Sequence, residues 1–273
     1  MEKNCLFGFK LRCAFFWPGR INWATPYRHY HAGLPAGSNT MNLQLVQMLM
    51  NFLTAAPNSK DDRMPQYNAT EFLAKYVEFL QNPTQHGDSY IEGFHRQFLV
   101  NHLKHPEKPL TECAGVEHHD TASSGGIVQT PVLLFASLVP QLLQAVESND
   151  TVVTVSPDLV TSISSVTAAL TSSHVRLTHD SEQLQRHIRI FTDLLVSTIL
   201  LPQKSPSASL IAFRTNVQAA GQHLGWDFKA LVALGLSDEH VAFGGIMGPA
   251  CYVGDSLPLA LYLSYKYAGD TGW

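Results

Sequence analysis

The stretch HYHAGLPAGSNTMNLQLVQMLMNFL, residues 29 to 53, changes character at its middle. Its second half has apolar side chains at the i, i+4, i+7, i+8 spacing of an amphipathic helix: Met41, Leu45, Met48, Leu49, Phe52 and Leu53. Ser38, Asn39 and Thr40 stand just before it, where a helix start presents free backbone N–H groups and a positive dipole end. Two interpretations are open: the polar trio caps the helix, or it faces a ligand.

Helical periodicity recurs along the rest of the chain. It predicts helices within residues 68–81, 87–103, 126–147, 156–170, 180–200, 207–224, 226–235 and 256–268. Asn68 with Glu71 and Ser156 with Pro157 predict two helix starts, and Asp88 or Ser89 predicts a third. The segment TVVTV at 151–155 alone is typical of a strand. The sequence therefore predicts an all-α fold, a single domain built as a multi-helix bundle.

The β-branched residues in 156–170 weaken the prediction of a helix there. We expect its apolar face to contain Leu159, Ile163, Val166 and Leu170.

Composition excludes several classes of protein. Hydrophobic residues make up 45% and charged residues 15% of the 273 residues, which is typical of a compact globule rather than a disordered chain. The formal net charge of -4 and the lack of a basic patch give no sign of nucleic-acid binding. No apolar run is long enough to predict a transmembrane helix. The four cysteines are widely spaced, which favours a reducing compartment, and we expect a cytoplasmic protein.

Two further segments concentrate polar residues and glycines. The segment EHHDTASSGG, residues 117–126, combines His119 and Asp120, a possible acid–base pair, with Gly125 and Gly126, which allow close backbone approach. An ordinary hydrogen-bonded loop is the alternative. In RLTHD, residues 176–180, Thr178 is expected to cap the following helix and His179 to pair with carbonyls of the preceding one. The glycines of 244–254 match neither the G-x-G-x-x-G pattern nor a P-loop.

Several segments together resemble the ADP-ribosylglycohydrolase family, most closely its branch that includes the J-type eye-lens crystallins. The matching segments are YHAGLPAGSNTMNLQLVQMLM, YIEGFHRQF, ECAGVEHHDTASSGGIV, RLTHD and GPACYVGDSLPLALYLSYKYA. They follow the family's order and cover about residues 27 to 268. The resemblance implies an all-α orthogonal bundle over residues 27–273, expected to lack its C-terminal end, after a divergent N-terminal segment, residues 1–26.

The resemblance also implies two Mg²⁺ ions in a cleft and cleavage of the glycosidic bond that joins ADP-ribose to an acceptor. The family's first metal motif, T-D-D-T, aligns with Gly37, Ser38, Asn39 and Thr40, so only the threonine is kept. Asn39 and Thr40 are the expected remaining metal ligands. Because Mg²⁺ prefers anionic oxygen ligands, the loss of two carboxylates predicts a degenerate magnesium site.

The resemblance thus predicts an ADP-ribosylglycohydrolase-like protein with weak or lost activity, whose partner is ADP-ribose or an ADP-ribosylated substrate. His119 and Asp120 are the catalytic candidates. The expected substrate contacts are Ser38, Asn39, Thr40, Ser124, Gly125 and Gly126. The alternatives are an inactive crystallin-like structural or ligand-binding protein, and an incomplete gene product that folds poorly.

Overall fold

The computed structural model describes residues 39–55, 67–82, 85, 91–116, 123–147, 156–200, 205–248 and 250–270. This part of the chain is mostly helical, as the sequence predicts. The α-helices are α1 Met41–Thr54, α2 Ala69–Gln81, α3 Gly93–Lys104, α4 Ser124–Ile127, α5 Thr130–Glu147, α6 Pro157–Arg176, α7 Glu182–Ile199, α8 Pro206–His223, α9 Phe228–Ala233, α10 Asp238–Phe243 and α11 Val253–Tyr267. A 3-10 turn spans Leu110–Glu112. The strand predicted at 151–155 lies outside the described residues.

Two helix starts are capped as the sequence predicts. The side chain of Asn68 accepts hydrogen bonds from the backbone N–H groups of Thr70 and Glu71 at the start of α2. The hydroxyl of Ser156 accepts from the N–H of Leu159, and Pro157 takes the first position of α6, where its missing N–H is not needed. Short polar side chains therefore fix where these helices begin.

Two other predicted caps are wrong. Helix α3 begins at Gly93 with Glu92 as its N-cap, so neither Asp88 nor Ser89 caps it. Helix α7 is capped by Ser181, whose hydroxyl accepts from the N–H of Leu184. The Thr178 hydroxyl instead donates to the Val175 carbonyl at the end of α6, at 3.4 Å. In both cases the helix begins later than predicted, and only Ser181 forms a side-chain cap.

Two large apolar clusters stabilise the fold. The first joins α1, α2 and α3 and includes the fully buried Leu49, Leu73 and Phe98. The second joins α7 to α8, α9, α10 and α11, with Phe228 and Tyr262 at zero exposure. Burying a side chain of this size stabilises the folded state by roughly 1.5–3 kcal/mol. Each cluster also reaches more distant helices, because Leu133 of α5 belongs to the first and Ile127 of α4 and Val175 of α6 belong to the second.

Helix α6 packs differently from the prediction. Ile163 is buried and Leu159 and Leu170 pack against apolar clusters, as the sequence predicts, but Val166 is 48% exposed. The buried face is also rich in polar side chains: Ser164, Thr167, Thr171 and His174. Two of these hydroxyl groups are buried because they find partners on neighbouring helices: Thr167 with Ser137 of α5, and Ser164 with Asp193 of α7.

A short parallel pair of strands connects distant parts of the chain. Strand β1, Gly115–Val116, pairs with β2, His179–Asp180, so that Gly115 lies opposite His179. This pair fixes the turn after α6 beside the turn that follows α3. None of the described helices is long and apolar enough to cross a membrane.

Replacing Gly221 by alanine should destabilise the protein, although glycine-to-alanine changes inside helices usually stabilise by about 0.5–1 kcal/mol. A Cβ at Gly221 of α8 would overlap the ring of Phe228, which is fully buried and cannot move aside. We expect Gly221→Ala to lower the free energy of unfolding by about 1–3 kcal/mol, measured by urea denaturation followed by circular dichroism.

Thr215→Ala, at an exposed position of the same helix, is the matched control and should be neutral or slightly stabilising. Adding Phe228→Leu to Gly221→Ala should recover part of the loss relative to the sum of the two single changes. A stabilised Gly221→Ala protein would contradict the packing described for α8 and α9.

Candidate functional site

The structure describes five of the eight residues predicted to be catalytic or to bind substrate or metal. Asn39 is exposed and Thr40 is half-buried at the start of α1, while Ser124, Gly125 and Gly126 form the start of α4. The other three, Ser38, His119 and Asp120, lie outside the described residues, and their predicted roles stay predictions.

The start of α1 is not capped by a side chain of its N-cap residue. Thr40 occupies the N-cap position with extended backbone and makes no side-chain capping hydrogen bond. The Gln44 side chain reaches back instead and donates to the Asn39 carbonyl at 2.8 Å. The Thr40 side chain therefore does not cap α1.

The starts of α1 and α4 lie against each other. A Cβ placed on Gly125 would come within 2.6 Å of the Asn42 side-chain oxygen, so a larger residue here would displace the Asn42 amide from its present position. Gly126 is just as restricted, because a Cβ there would come within 2.6 Å of the Leu184 side chain. The structure thus brings together two segments that are distant in sequence. We call this region the junction: Asn42, Glu92, Ser123, Gly125 and the residues around them.

Glu92 connects the two helix starts through its carboxylate. The Asn42 amide donates to one carboxylate oxygen at 3.2 Å, and the Ser123 hydroxyl donates to the other at 3.1 Å. Ser123 also accepts from the N–H of Gly125 at 3.2 Å. The carboxylate is half-buried at the N-terminus of α3, where the helix dipole favours negative charge. A single acidic side chain therefore holds three elements in register.

The last helix also contributes to the junction. The Ser124 N–H donates to the Cys251 carbonyl at 2.7 Å, and Ser123 forms an isolated antiparallel bridge with Tyr252. Since Tyr252 is the N-cap of α11, the start of that helix lies beside the start of α4.

A small cavity lies beneath the junction. Its volume is about 10 Å³, which is roughly the space of one water molecule. Three histidines contribute to its wall together with aromatic, amide and hydroxyl side chains. The lining residues are Asn42, Leu45, Phe72, Tyr76, His95, Gly125, Gln129, His174, Thr178 and His179.

His174 is held in a single tautomer. Its Nε2–H donates to the Gln129 side-chain oxygen at 2.6 Å, which leaves Nδ1 to accept from the Tyr67 hydroxyl, also at 2.6 Å. Phe72 packs edge-on against the ring. Burial lowers the pKa of His174 from 6.5 to about 3, so the ring is neutral in the folded protein.

His179 is also fully buried, but its ring makes fewer hydrogen bonds than the ring of His174. Its Nδ1 is 2.7 Å from the Thr178 hydroxyl, and its ring contacts that of Phe94 at a tilt of 41°, with centroids 3.6 Å apart. Its Nε2 has no hydrogen-bond partner among the described residues. Burial, reinforced by His174, lowers the pKa of His179 to about 3. Its predicted pairing with carbonyls of α6 is therefore wrong, because the ring points into the interior and binds Thr178.

A third histidine pairs with a tyrosine. The Tyr76 hydroxyl and Nδ1 of His95 are 2.6 Å apart, and both residues are fully buried. Burial, with a smaller contribution from the negative charge of Glu92, raises the pKa of Tyr76, which stays protonated. The interior of the junction is thus a network of neutral hydrogen-bonding groups.

The described residues do not fit a two-magnesium centre. The first turn of α1 contains no acidic residue. Glu92 is the carboxylate at the junction, and both of its oxygens already accept hydrogen bonds. Within the described ranges no group of three His, Cys, Asp or Glu side chains is placed to hold a metal ion. Mg²⁺ requires near-octahedral oxygen ligands, which this set does not supply.

The sequence did not reveal the residues that organise the junction. Glu92 lies in YIEGFHRQF, which contributed to the family resemblance and to the predicted helix of residues 87–103, and Asn42 was not singled out. His174 has one available signal: a histidine in register with Ser164, Thr167 and Thr171 on one face of a helix. The others depend on tertiary contacts that no local pattern encodes.

Comparisons with known proteins identify no relative of this chain. No family model matches it, no curated protein matches it, and no solved structure matches it.

Removing the Glu92 carboxylate should destabilise the protein. We expect Glu92→Ala to lower the free energy of unfolding by about 1–3 kcal/mol, because the Asn42 and Ser123 donors lose a charged acceptor in a half-buried site. Glu92→Gln, which keeps one acceptor oxygen, should cost less. Urea denaturation measures both.

Glu78→Ala is the matched control, since Glu78 is an exposed carboxylate of α2 and its removal should change stability by less than about 0.5 kcal/mol. Equal effects of Glu92→Ala and Glu78→Ala would contradict the connecting role of Glu92.

Stability should fall as the solution is acidified below about pH 6.5. His174 and His179 have pKa values of about 3 in the folded state and an ordinary value of 6.5 when unfolded, so the unfolded chain binds more protons in this range. Their contribution is complete above pH 6.5 and is lost progressively as the pH falls toward 3. Each histidine adds a slope of up to about 1.4 kcal/mol per pH unit.

His174→Gln should make this slope shallower, because one titrating group is removed. His105→Gln changes an exposed histidine and should leave the slope as it is. The check is the free energy of unfolding at several pH values between 4 and 8, and a flat profile for the unmodified chain would contradict the assignment of two neutral buried histidines.

Proposed function

We propose that this chain is a divergent helical protein of the ADP-ribosylglycohydrolase type, which binds ADP-ribose or an ADP-ribosylated group at the junction and hydrolyses it weakly or not at all. The assignment to the family rests on the sequence resemblance. One structural observation supports the site: the start of α1 and the start of α4, the two segments with the predicted substrate contacts, lie side by side around Glu92.

The chemistry of the junction suits the polar parts of such a ligand. Thr40 and Ser124 are half-buried hydroxyl residues at helix starts, and Asn39 is exposed beside them. Helix starts favour anionic groups such as a diphosphate, and hydroxyl and amide side chains bind ribose hydroxyls well. The ligand would enter from the side of Asn39 and Thr40, because the cavity of about 10 Å³ below is far smaller than a nucleotide-sized ligand.

Weak hydrolysis follows from the charges available. In the resembled family, two divalent cations are held largely by carboxylates at the position of Ser38 and Asn39, which are neutral here. Glu92 is engaged with Asn42 and Ser123. If hydrolysis occurs, a positioned base activates water against an oxocarbenium-like transition state, and His119 and Asp120 remain the proposed pair. Losing even one well-placed electrostatic group costs about 10²-fold or more in rate.

A purely structural protein is the second candidate function. The observation that favours it is the closed interior: His174 and Tyr76 have buried hydrogen-bond partners and leave little space at the junction. A family member that kept the helical bundle but lost the catalytic activity, as in the crystallin branch, would need only this packing.

Calorimetric titration of ADP-ribose and Mg²⁺, separately and together, tests the proposal. We expect ADP-ribose to bind in the absence of Mg²⁺, because the helix starts and hydroxyls do not depend on a metal, and Mg²⁺ alone to bind weakly. Ser124→Tyr, which fills the space between the two helix starts, should abolish binding. Ser207→Tyr, at an exposed position of α8, is the matched control.

Release of ADP-ribose from an ADP-ribosylated peptide should be undetectable or very slow. Ser38→Asp combined with Asn39→Asp should increase Mg²⁺ affinity, because two carboxylates return to the start of α1. Robust Mg²⁺-dependent turnover by the unmodified chain would refute the loss of activity. No ADP-ribose binding by a folded chain would favour the structural candidate instead.

A further inference from the structure

A second and larger cavity lies on the surface between α1 and α2. Its volume is about 510 Å³, within the roughly 300–1,000 Å³ of ligand sites, whereas the junction cavity has about 10 Å³. The two cavities have no described lining residue in common. We call the larger one the groove, and the residues that matter for its chemistry are Gln47, Met48, Asn51 and Phe52 of α1 with Lys75 and Phe79 of α2.

Apolar side chains form the floor of the groove. Met48, Phe52 and Phe79 are half-buried, and all three pack against the apolar cluster of α1, α2 and α3. Phe52 also makes an edge-on ring contact with Phe72 of this cluster, with centroids 5.7 Å apart. The floor is therefore continuous with the core, and a ligand that covers its exposed part removes apolar surface from water.

Carboxamide side chains of α1 stand along one edge of the groove. Gln47 and Asn51 are exposed one turn apart on the same face of the helix, and neither side chain bonds to another described residue. Gln44 belongs to the same row, but it already donates to the Asn39 carbonyl. A carboxamide offers both donors and an acceptor, as a peptide group does. This edge therefore suits a peptide better than a hydrocarbon chain, which forms no hydrogen bonds.

Helix α2 contributes the charge. Lys75 is the charged side chain among the described residues that line the groove, and it forms no ion pair with any of the residues the structure describes. Glu71 and Glu78 lie within one turn of Lys75, but neither lines the groove. The ammonium group at this edge therefore attracts a carboxylate, and an exposed pair of this kind strengthens binding by up to about fivefold.

We propose that the groove binds a short apolar peptide that carries one carboxylate. Its apolar side chains cover Met48, Phe52 and Phe79, its peptide groups bond to Gln47 and Asn51, and its carboxylate pairs with Lys75. This binding does not depend on the function proposed for the junction, because the groove is a separate cavity on the other side of α2 from neither of its lining residues.

NMR titration of the full chain, labelled with ¹³C at its methionine methyl groups, tests the proposal with the peptide acetyl-Leu-Phe. The Met48 signal should shift and saturate. The Met50 signal should not, because Met50 is 50% exposed on the other side of α1. Acetyl-Leu-Phe-amide, which lacks the carboxylate, should bind up to about fivefold more weakly. Decanoate, which has an apolar chain and a carboxylate but no peptide group, should also bind more weakly than acetyl-Leu-Phe.

Three variants assign the contacts. Lys75→Met should bind acetyl-Leu-Phe and its amide equally, whereas Lys104→Met, at an exposed lysine of α3 outside the groove, is the matched control and should keep the difference. Asn51→Trp should fill the groove and weaken binding of acetyl-Leu-Phe at least about tenfold. Both groove positions are exposed, so circular dichroism of the variants should match that of the unmodified chain.

The absence of a saturable Met48 shift up to the solubility limit of acetyl-Leu-Phe, or equal shifts of Met48 and Met50, would overturn the proposal. Tighter binding of decanoate than of acetyl-Leu-Phe would overturn the choice of a peptide as the ligand. A folded Lys75→Met protein that still prefers acetyl-Leu-Phe to its amide would overturn the role of Lys75.

Discussion

The two hydrogen bonds accepted by the Glu92 carboxylate connect the starts of α1, α3 and α4. Glu92 lies at the start of α3, Asn42 lies in the first turn of α1, and Ser123 directly precedes α4. Charged hydrogen bonds of this kind are stronger than neutral ones, and the dipole of α3 adds to the stabilisation of the carboxylate. The glycine at position 125 leaves room for the Asn42 amide, which a Cβ there would displace.

The sequence predicts most of the helices because their stabilisation is local and periodic. Helices α2 and α7 carry apolar stripes at helical spacing, and the Asn68 and Ser156 caps depend on residues within one turn. The prediction fails at one position of α6, where Val166 was expected inside and is exposed, and it does not identify the buried Thr167 and Thr171. Apolar periodicity assumes that buried faces are apolar, and a helix whose buried hydroxyls bond to its neighbours does not follow that rule.

The site is predicted less well than the fold. The polar starts of α1 and α4 are visible in the sequence, and they do lie together, but the groups that connect them are Glu92 and Asn42. No spacing rule joins these two residues, since their contact depends on how three helices pack. The buried histidines are missed for a related reason: a neutral histidine in the interior is defined by its partners, such as Tyr67 and Gln129 for His174.

The parallel pair of Gly115–Val116 with His179–Asp180 has a consequence for the closure of the chain. Parallel strands must be joined by a long crossover, and here α4, α5 and α6 lie between them. The strand pair therefore closes a long loop of the chain, and its formation carries the larger closure entropy of such a loop. Cutting the chain between α5 and α6 would leave Asn42 and Gln129 in one fragment and His174 and His179 in the other, so neither fragment would contain a complete cavity.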